Sequence, residues 1–280
     1  ASMSSEILSR VSKMPITEVT DGMRAEPNHV YVIPPGFSMG IFHGVLNLVP
    51  RTEVRGQHLV IDYFFHALAE DQKNLAIGIV LSGTGADGTQ GLTAIKAEGG
   101  ITFAQTPKSA RFDGMPQSAI ESGSVDLILS PEQIAKELGR IAHHPYIIHA
   151  PNQIAMPDDQ PLDPHDGFRH IFHLLRKQCH VDFAFYKSTT VKRRIERRMV
   201  LHKMESLEAY NKFLSHNLDE VKALYADILI HVTNFFRDPD AFKALKTEVF
   251  PKLMQNRGAG VPLRVWVPGC STGEEAYSIA

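Results

Sequence analysis

Four short apolar runs divide the first 146 residues: HVYVIPP (29–35), LAIGIVLSG (75–83), GITFAQ (100–105) and SVDLILS (124–130), bounded by Gly, Pro or Ser. Runs of this length and punctuation read as strands. Between them, IDYFFHALAED (61–71) and TQGLTAIKAEGG (89–100) repeat their apolar residues at intervals of three and four, and the second closes on a glycine pair suited to a helix C-cap. Strands alternating with amphipathic helices predict an α/β layer with a largely parallel sheet.

That alternation stops near His144. HPYIIHAPNQIAMPDDQPLDPHD, up to Asp166, has five prolines and no apolar period, so it reads as a linker. The class then changes. FRHIFHLLRKQC, TTVKRRIERRMVLHKM, SLEAYNKFLSH and NLDEVKALYADILIHV all carry helical spacing, and Asn217 with Glu220 has the form of a capping box. A small helical bundle is expected over roughly 166–236. PDAFKALKTEVFPKLMQN (239–256) adds a helix with Phe242, Leu245, Val249 and Leu253 on one stripe, and PLRVWVPG starts a strand. One strand and a stub of helix do not complete a doubly wound sheet, so the expectation is a C-terminal α/β domain that is cut off.

The 280 residues suffice for two domains with cores of their own. With 43% hydrophobic and 21% charged residues and a net charge of −2, the chain falls in the ordinary soluble class, and no bulk charge points to nucleic acid. Cys179 and Cys270 lie far apart in no C-x-x-C spacing, which argues against a disulfide framework or a zinc site and fits a reducing cytoplasm. No apolar run approaches 18 residues and no signal peptide is recognisable, so membrane insertion is not expected.

Three stretches could carry chemistry. Gly269-Cys270-Ser271-Thr272-Gly273 matches the G-x-S-x-G nucleophile elbow, yet a strand entering a Gly-rich turn and a helix also holds nucleotide-like cofactors. Glu274 and Glu275 weigh against the elbow, because they would set two carboxylates beside the oxyanion it must stabilise. On TTVKRRIERRMVLHKM, Arg193 with Arg197 and Arg194 with Arg198 are i, i+4 pairs. Such a face is solvated or docks an anionic partner; nucleic acid ranks below both, since no aromatic residues interleave the charges. In LSGTGADGTQGL (81–92), Asp87 sits just after a strand, either as a turn former or at the functional edge of a parallel sheet.

HVTNFFRDPDAF (231–242) followed by LRVWVPGCSTGEEAYSIA closely resembles the CheR family of S-adenosylmethionine-dependent protein-glutamate O-methyltransferases. The resemblance implies that STGEE is a cofactor-binding loop and that Ser271 is no nucleophile. It implies that Thr233 and Arg237 line the cofactor and active site, with Arg237 the electrostatic helper at the reacting carboxylate, and that Gly269 and Glu275 contact the cofactor. His231 stands where some members carry Asn. YKSTTVKRRIERRMVLHKM resembles the family's N-terminal helical domain, whose basic helix docks on the receptor. Arg193, Arg194, Arg197 and Arg198 are thereby expected to meet Glu-rich helices of methyl-accepting chemoreceptors.

VYVIPPG, RGQHLVIDYFF, IGIVLSGTGADGTQGL, GGITFAQ and ARFDGMPQSAIESGSVD follow, in order, the CheB family of protein-glutamate methylesterases. That family hydrolyses receptor methyl esters with a Ser-His-Asp triad. Asp87 matches the acid, which would hold the imidazole tautomer, and the amide near Thr84 matches the oxyanion position. Nucleophile and base belong to family segments that precede the region matched here; Ser82 lacks elbow spacing, and His58 reads as structural.

The tandem resembles the CheB–CheR fusion proteins. The expectation is an internal fragment: a Rossmann-like esterase domain lacking its N-terminal part (1–146), a linker (147–165), a helical domain (166–237), and the first strand and helix of a Rossmann-like methyltransferase domain (238–280). It would be cytoplasmic and inactive alone, its parent using S-adenosylmethionine and no metal. A non-catalytic receptor-docking module is the alternative.

Overall fold

The computed structural model describes residues 3–51, 59–148, 167–183, 186, 188–229, 236, 239–255, 263–270 and 273–280. The described chain packs as two units, 1–229 and 230–280.

The first unit is built on a parallel sheet of β6 (Ile77–Val80), β7 (Ile101–Gln105) and β8 (Leu127–Leu129) in that order, with Ile77 opposite Ile101 and Phe103 opposite Leu127. All five residues of β7 are buried, as befits a strand covered on both faces. Three helices cover one face: α2 (Val60–Gln72), α3 (Thr89–Ala97) and α4 (Gly114–Glu121). They enclose Phe65, Ala69, Val80, Leu92, Ile95 and Ala104. The alternate residues of β7, Ile101 and Phe103, meet Ile134 and Ile141 of α5 (Pro131–Ala142) on the opposite face. Ser130 and Gln133 close a capping box at the start of α5. The expected strands at 75–83, 100–105 and 124–130 are thus the three of this sheet, shortened at their ends.

Before the sheet come α1 (Met3–Ser9) and β1 (Ile16–Glu18), the latter parallel to β3 (Val30–Val32). An antiparallel sheet not anticipated from sequence joins β2 (Met23–Arg24), β5 (Val45–Pro50) and β4 (Phe37–Phe42). Its hairpin turns on His43 and Gly44, both at positive φ (50° and 73°), the backbone that matches strand twist in a two-residue turn.

A short helix, α6 (Pro145–Ile148), falls at the start of the expected linker; positions 149–166 lie outside the described residues. Four helices follow: α7 (Phe168–Cys179), α8 (Ser188–Leu201), α9 (Leu207–His216) and α10 (Leu218–Ile228). Their shared core holds Ile171, Leu175, Ile195, Tyr210, Leu214 and Leu224. The capping box expected at Asn217 is half formed. Asn217 accepts from the Glu220 amide at 3.1 Å, but the Glu220 carboxylate turns to Arg198, His202 and Tyr210 instead of back to the cap.

In the second unit, the helix expected over 239–256 is interrupted. α11 (Pro239–Ala244) passes through a π-helical turn (Leu245–Val249) into α12 (Phe250–Met254). Pro251 has no N–H for the carbonyl four residues back, and the ladder widens there. Residues 263–267 form no regular strand, contrary to expectation, and Trp266 is 88% exposed. Among the described residues no other strand pairs with that segment, and an extended segment alone is not stable in water. The last helix is α13 (Glu274–Ile279). Among the described residues, no helix is long and apolar enough to cross a membrane.

Candidate functional site

Asp87 lies beyond the C-terminal end of β6, in the turn that opens α3. Its two carboxylate oxygens accept the backbone amides of Ile61 and Asp62, each at 3.0 Å, so the side chain caps the first turn of α2. Asp62, 5% exposed, accepts in turn from the Gly91 amide in the first turn of α3 at 2.7 Å. Gly91 makes this approach possible, since a Cβ there would fall 2.3 Å from the Phe65 Cβ. Two helices are locked N-terminus to N-terminus by exchanged aspartates, and the half-buried Asp87 side chain is fixed in place. Each of its oxygens keeps a lone pair for a further donor. His58 lies outside the described residues.

The flanking loop is sewn to the ARFDGMPQSAI segment. Gly83 donates to Phe112 O at 2.9 Å, Met115 donates to Gly83 O at 2.9 Å, and the Ser82 hydroxyl both accepts from Phe112 N (2.9 Å) and donates to Phe112 O (3.2 Å). Ser82 thereby serves as a loop tie. Thr84 stays exposed in the same turn.

The four arginines of α8 do not share one free face. Arg193 is exposed. Arg194 (7% exposed) donates to Lys96 O at 2.7 Å and to Ala97 O, the C-terminal carbonyls of α3. Arg197 (4% exposed) donates to Gly100 O at 2.9 Å and pairs with Asp126 and Asp227, each at 2.5 Å. Arg198 donates to both carboxylate oxygens of Glu220. The docking surface expected of these arginines is not a free face here: Arg194 and Arg197 are buried, and Arg198 is half-buried and paired. Their spacing is helical, but the helix turns that side toward the sheet and α10, where carbonyls and carboxylates already take the guanidiniums.

The same contacts set the titration of the interior. Burial alone would raise Glu220, but hydrogen bonds from His202, Arg198 and Tyr210 outweigh it and hold the carboxyl at about 2. Tyr210, buried and donating to Glu220 at 2.8 Å, is pushed well above the usual phenol range by burial and by that carboxylate. Among the described residues Glu196 has no such donors: burial raises it to about 7, although the Lys192 ammonium lies 3.9 Å away.

In the second unit, Thr233, Arg237, His231 and Ser271 lie outside the described residues. Their neighbours are described. The Phe236 amide donates to the Ser278 hydroxyl at 3.0 Å, and that hydroxyl donates to Glu274 O at 2.6 Å. This brings Phe236 to α13 (Glu274–Ile279), and Phe236 meets the Phe242 ring edge-on at 5.3 Å between centroids. Gly269 (φ 68°) and Gly273 (φ 106°) both need the left-handed backbone that favours glycine, and Glu275 is exposed in the first turn of α13. Asp62 and Ser278 were not singled out from sequence; an Asp or Ser inside an amphipathic run shows no mark of which distant amide it will meet.

Three family models match the chain: CheB methylesterase over residues 1–138; CheR methyltransferase, all-alpha domain, over 166–229; and CheR methyltransferase, SAM binding domain, over 231–280. An uncharacterized 104.1 kDa protein in the hypE 3' region of Rhodobacter capsulatus is 38% identical across 98% of this chain and 30% of its own length. A protein-glutamate methylesterase/protein-glutamine glutaminase of Pseudomonas aeruginosa is 36% identical over 48% of this chain and 39% of its own length. A putative protein of the same name from Leptospira interrogans is 34% identical over 46% of this chain and 68% of its own length. The chain thus spans about a third of the Rhodobacter protein and two fifths of the Pseudomonas one.

Proposed function

We propose, for a chain that belongs to the CheB methylesterase family over its first half and carries both CheR segments behind it, that the whole protein sets the methylation level of chemoreceptors. One half would hydrolyse receptor glutamate methyl esters to glutamate and methanol. The other would methylate the same class of glutamate.

The observation that carries the esterase reading is the setting of Asp87. A catalytic acid must not rotate, and two helix-terminal amides hold both of its oxygens in place. Its role is to orient an imidazole and stabilise the imidazolium as a serine attacks the ester; water then releases the acyl group.

For the methyltransferase half, the described residues fit a nucleoside-bearing cofactor. Gly269 leaves open space where a side chain would stand, and the exposed Glu275 offers an acceptor to hydroxyl or ammonium groups. S-Adenosylmethionine, when bound, supplies the methyl group. Gly269, Glu275 and Thr233 would hold it, while Arg237 would orient and charge-balance the receptor carboxylate. Methyl transfer of this kind demands alignment and charge management rather than a covalent enzyme intermediate. We place the reaction in the cytoplasm, where receptor signalling helices and S-adenosylmethionine both occur. A non-catalytic docking module is the weaker reading, because two of its four arginines, Arg194 and Arg197, are spent inside the fold.

The test uses the full protein that contains this chain, with a methyl-esterified receptor fragment. Methanol release should fall about a thousandfold or more in Asp87→Asn, with labelled methyl transfer unaffected; Arg237→Ala should do the reverse. Equal rates for both variants and wild type would overturn the reading.

A further inference from the structure

The sheet segment carries a surface that is completed only by α8. Lys96 O, Ala97 O and Gly100 O converge with the Asp126 carboxylate on Arg194 and Arg197, nearly a hundred residues downstream. Two of these carbonyls end α3, where the helix ladder stops; Lys96 O also accepts the Gly99 amide at 3.1 Å. The Asp126 side chain is 4% exposed. It accepts the Thr102 amide and hydroxyl, each at 3.0 Å, and has the Lys96 ammonium at 3.5 Å. One turn on, Val200 (1% exposed) enters the same apolar cluster as Ile101, Phe103, Ile134 and Ile141, and Arg140 of α5 donates to Val200 O at 2.8 Å. Residues 194, 197 and 200 lie at intervals of three, on one side of the helix.

We propose that this is an arginine-reading dock, and that its occupant is the chain's own α8: the helical segment extends the second-face cover that α5 begins on the esterase-type sheet, so residues 1–229 fold and open as one cooperative body instead of as two tethered domains. The partner it fits is a helix presenting Arg, Arg and an apolar residue at i, i+3 and i+6. The charge chemistry agrees, for helix C-terminal carbonyls and a buried carboxylate both favour a guanidinium, whose planar fork reaches two acceptors at once. The proposal stands on these contacts alone and needs neither activity.

Hydrogen exchange of the full chain across a denaturant series tests it. In wild type, amides of Thr102 to Ala104 and of Ile171 to Leu175 should lose protection at the same denaturant concentration. Arg197→Ala removes the nearest cation from the Asp126 and Asp227 carboxylates and leaves them Lys96 and Arg198, each at 3.5 Å, which should speed exchange roughly tenfold or more, the worth of a charged hydrogen bond, and separate the two groups of amides. Arg194→Ala, which leaves the Asp126 and Asp227 pairs intact, is read in the same way should Arg197→Ala fail to fold. Separate loss of protection in wild type, or coincident loss in wild type and in every folded variant, would overturn the proposal.

Discussion

Asp87 and Asp62 exchange caps: Asp87 accepts the amides at the start of α2, and Asp62, seated in that turn, accepts the Gly91 amide at the start of α3. The pair couples the loop that bears the candidate catalytic acid to the sheet's covering layer. Position 87 is therefore structural whether or not it is also chemical, which is why a turn former and a catalyst could not be told apart from the residue type alone.

The exchange depends on Gly91. A methyl group there would sit 2.3 Å from the Phe65 Cβ, too close for any rotamer change to relieve, since both atoms are fixed to backbone. Gly91→Ala should cost roughly 1–3 kcal/mol by overpacking and lengthen the Asp62 hydrogen bond. The urea midpoint measures the cost, and exchange of the Gly91-position amide reports the bond. An unchanged midpoint would mean that the helices tolerate a wider spacing than this geometry allows.

Glu196 gives the interior a pH dependence of defined sign. Its folded value, about 7, lies above the unfolded 4.5 because burial disfavours the charge. The folded state binds more protons, so stability is highest at low pH, declines as pH rises from about 4.5 through about 7, and is level beyond. Glu196→Gln should remove this slope and stabilise the chain above pH 7 by up to roughly 3 kcal/mol. Denaturation midpoints of both proteins from pH 5 to 8 decide it, and parallel curves would count against it.

The Ser278 hydroxyl links the two methyltransferase-type segments through the Phe236 amide and Glu274 O. In the full protein, Ser278→Ala should weaken S-adenosylmethionine binding about threefold to tenfold, the worth of one net hydrogen bond, and Ser278→Thr should restore it. Calorimetric titration gives the constants; equal affinity in all three would show that the tie does not shape the cofactor loop.

What was legible in the sequence was local. β7 and α3 could be read because an apolar run and a three-four repeat are complete within a dozen residues, with Gly99 and Gly100 marking the join. The β4–β5 hairpin was less visible: Gly40 and Asn47 interrupt its apolar alternation, and its turn uses His43 where Asn or Asp is the usual signal. The arginines of α8 were found by spacing, but their direction was not. Their acceptors at 96, 97 and 100 are backbone carbonyls, which every residue carries, so no residue type announces them. For Thr233 and Arg237, motif resemblance remains the whole warrant.

Glu220 fixes the acid limit of the helical segment. Arg198, His202 and Tyr210 all reach its carboxylate, and together they hold it near 2 against a burial that would raise it. With the folded value below the unfolded 4.5, its contribution is full above about 4.5 and is lost as pH falls toward about 2. Tyr210→Phe removes one of the donors while keeping the ring packed among Leu214 and Leu224. It should cost about 1 kcal/mol at pH 7 and shift the acid unfolding midpoint upward, because a carboxylate with fewer donors protonates sooner. Arg198→Ala should cost more, roughly 3–5 kcal/mol, since it leaves a buried charge without its cation. Acid titration followed by circular dichroism orders the three proteins; a Tyr210→Phe midpoint equal to wild type would mean that Arg198 and His202 alone hold the carboxylate down.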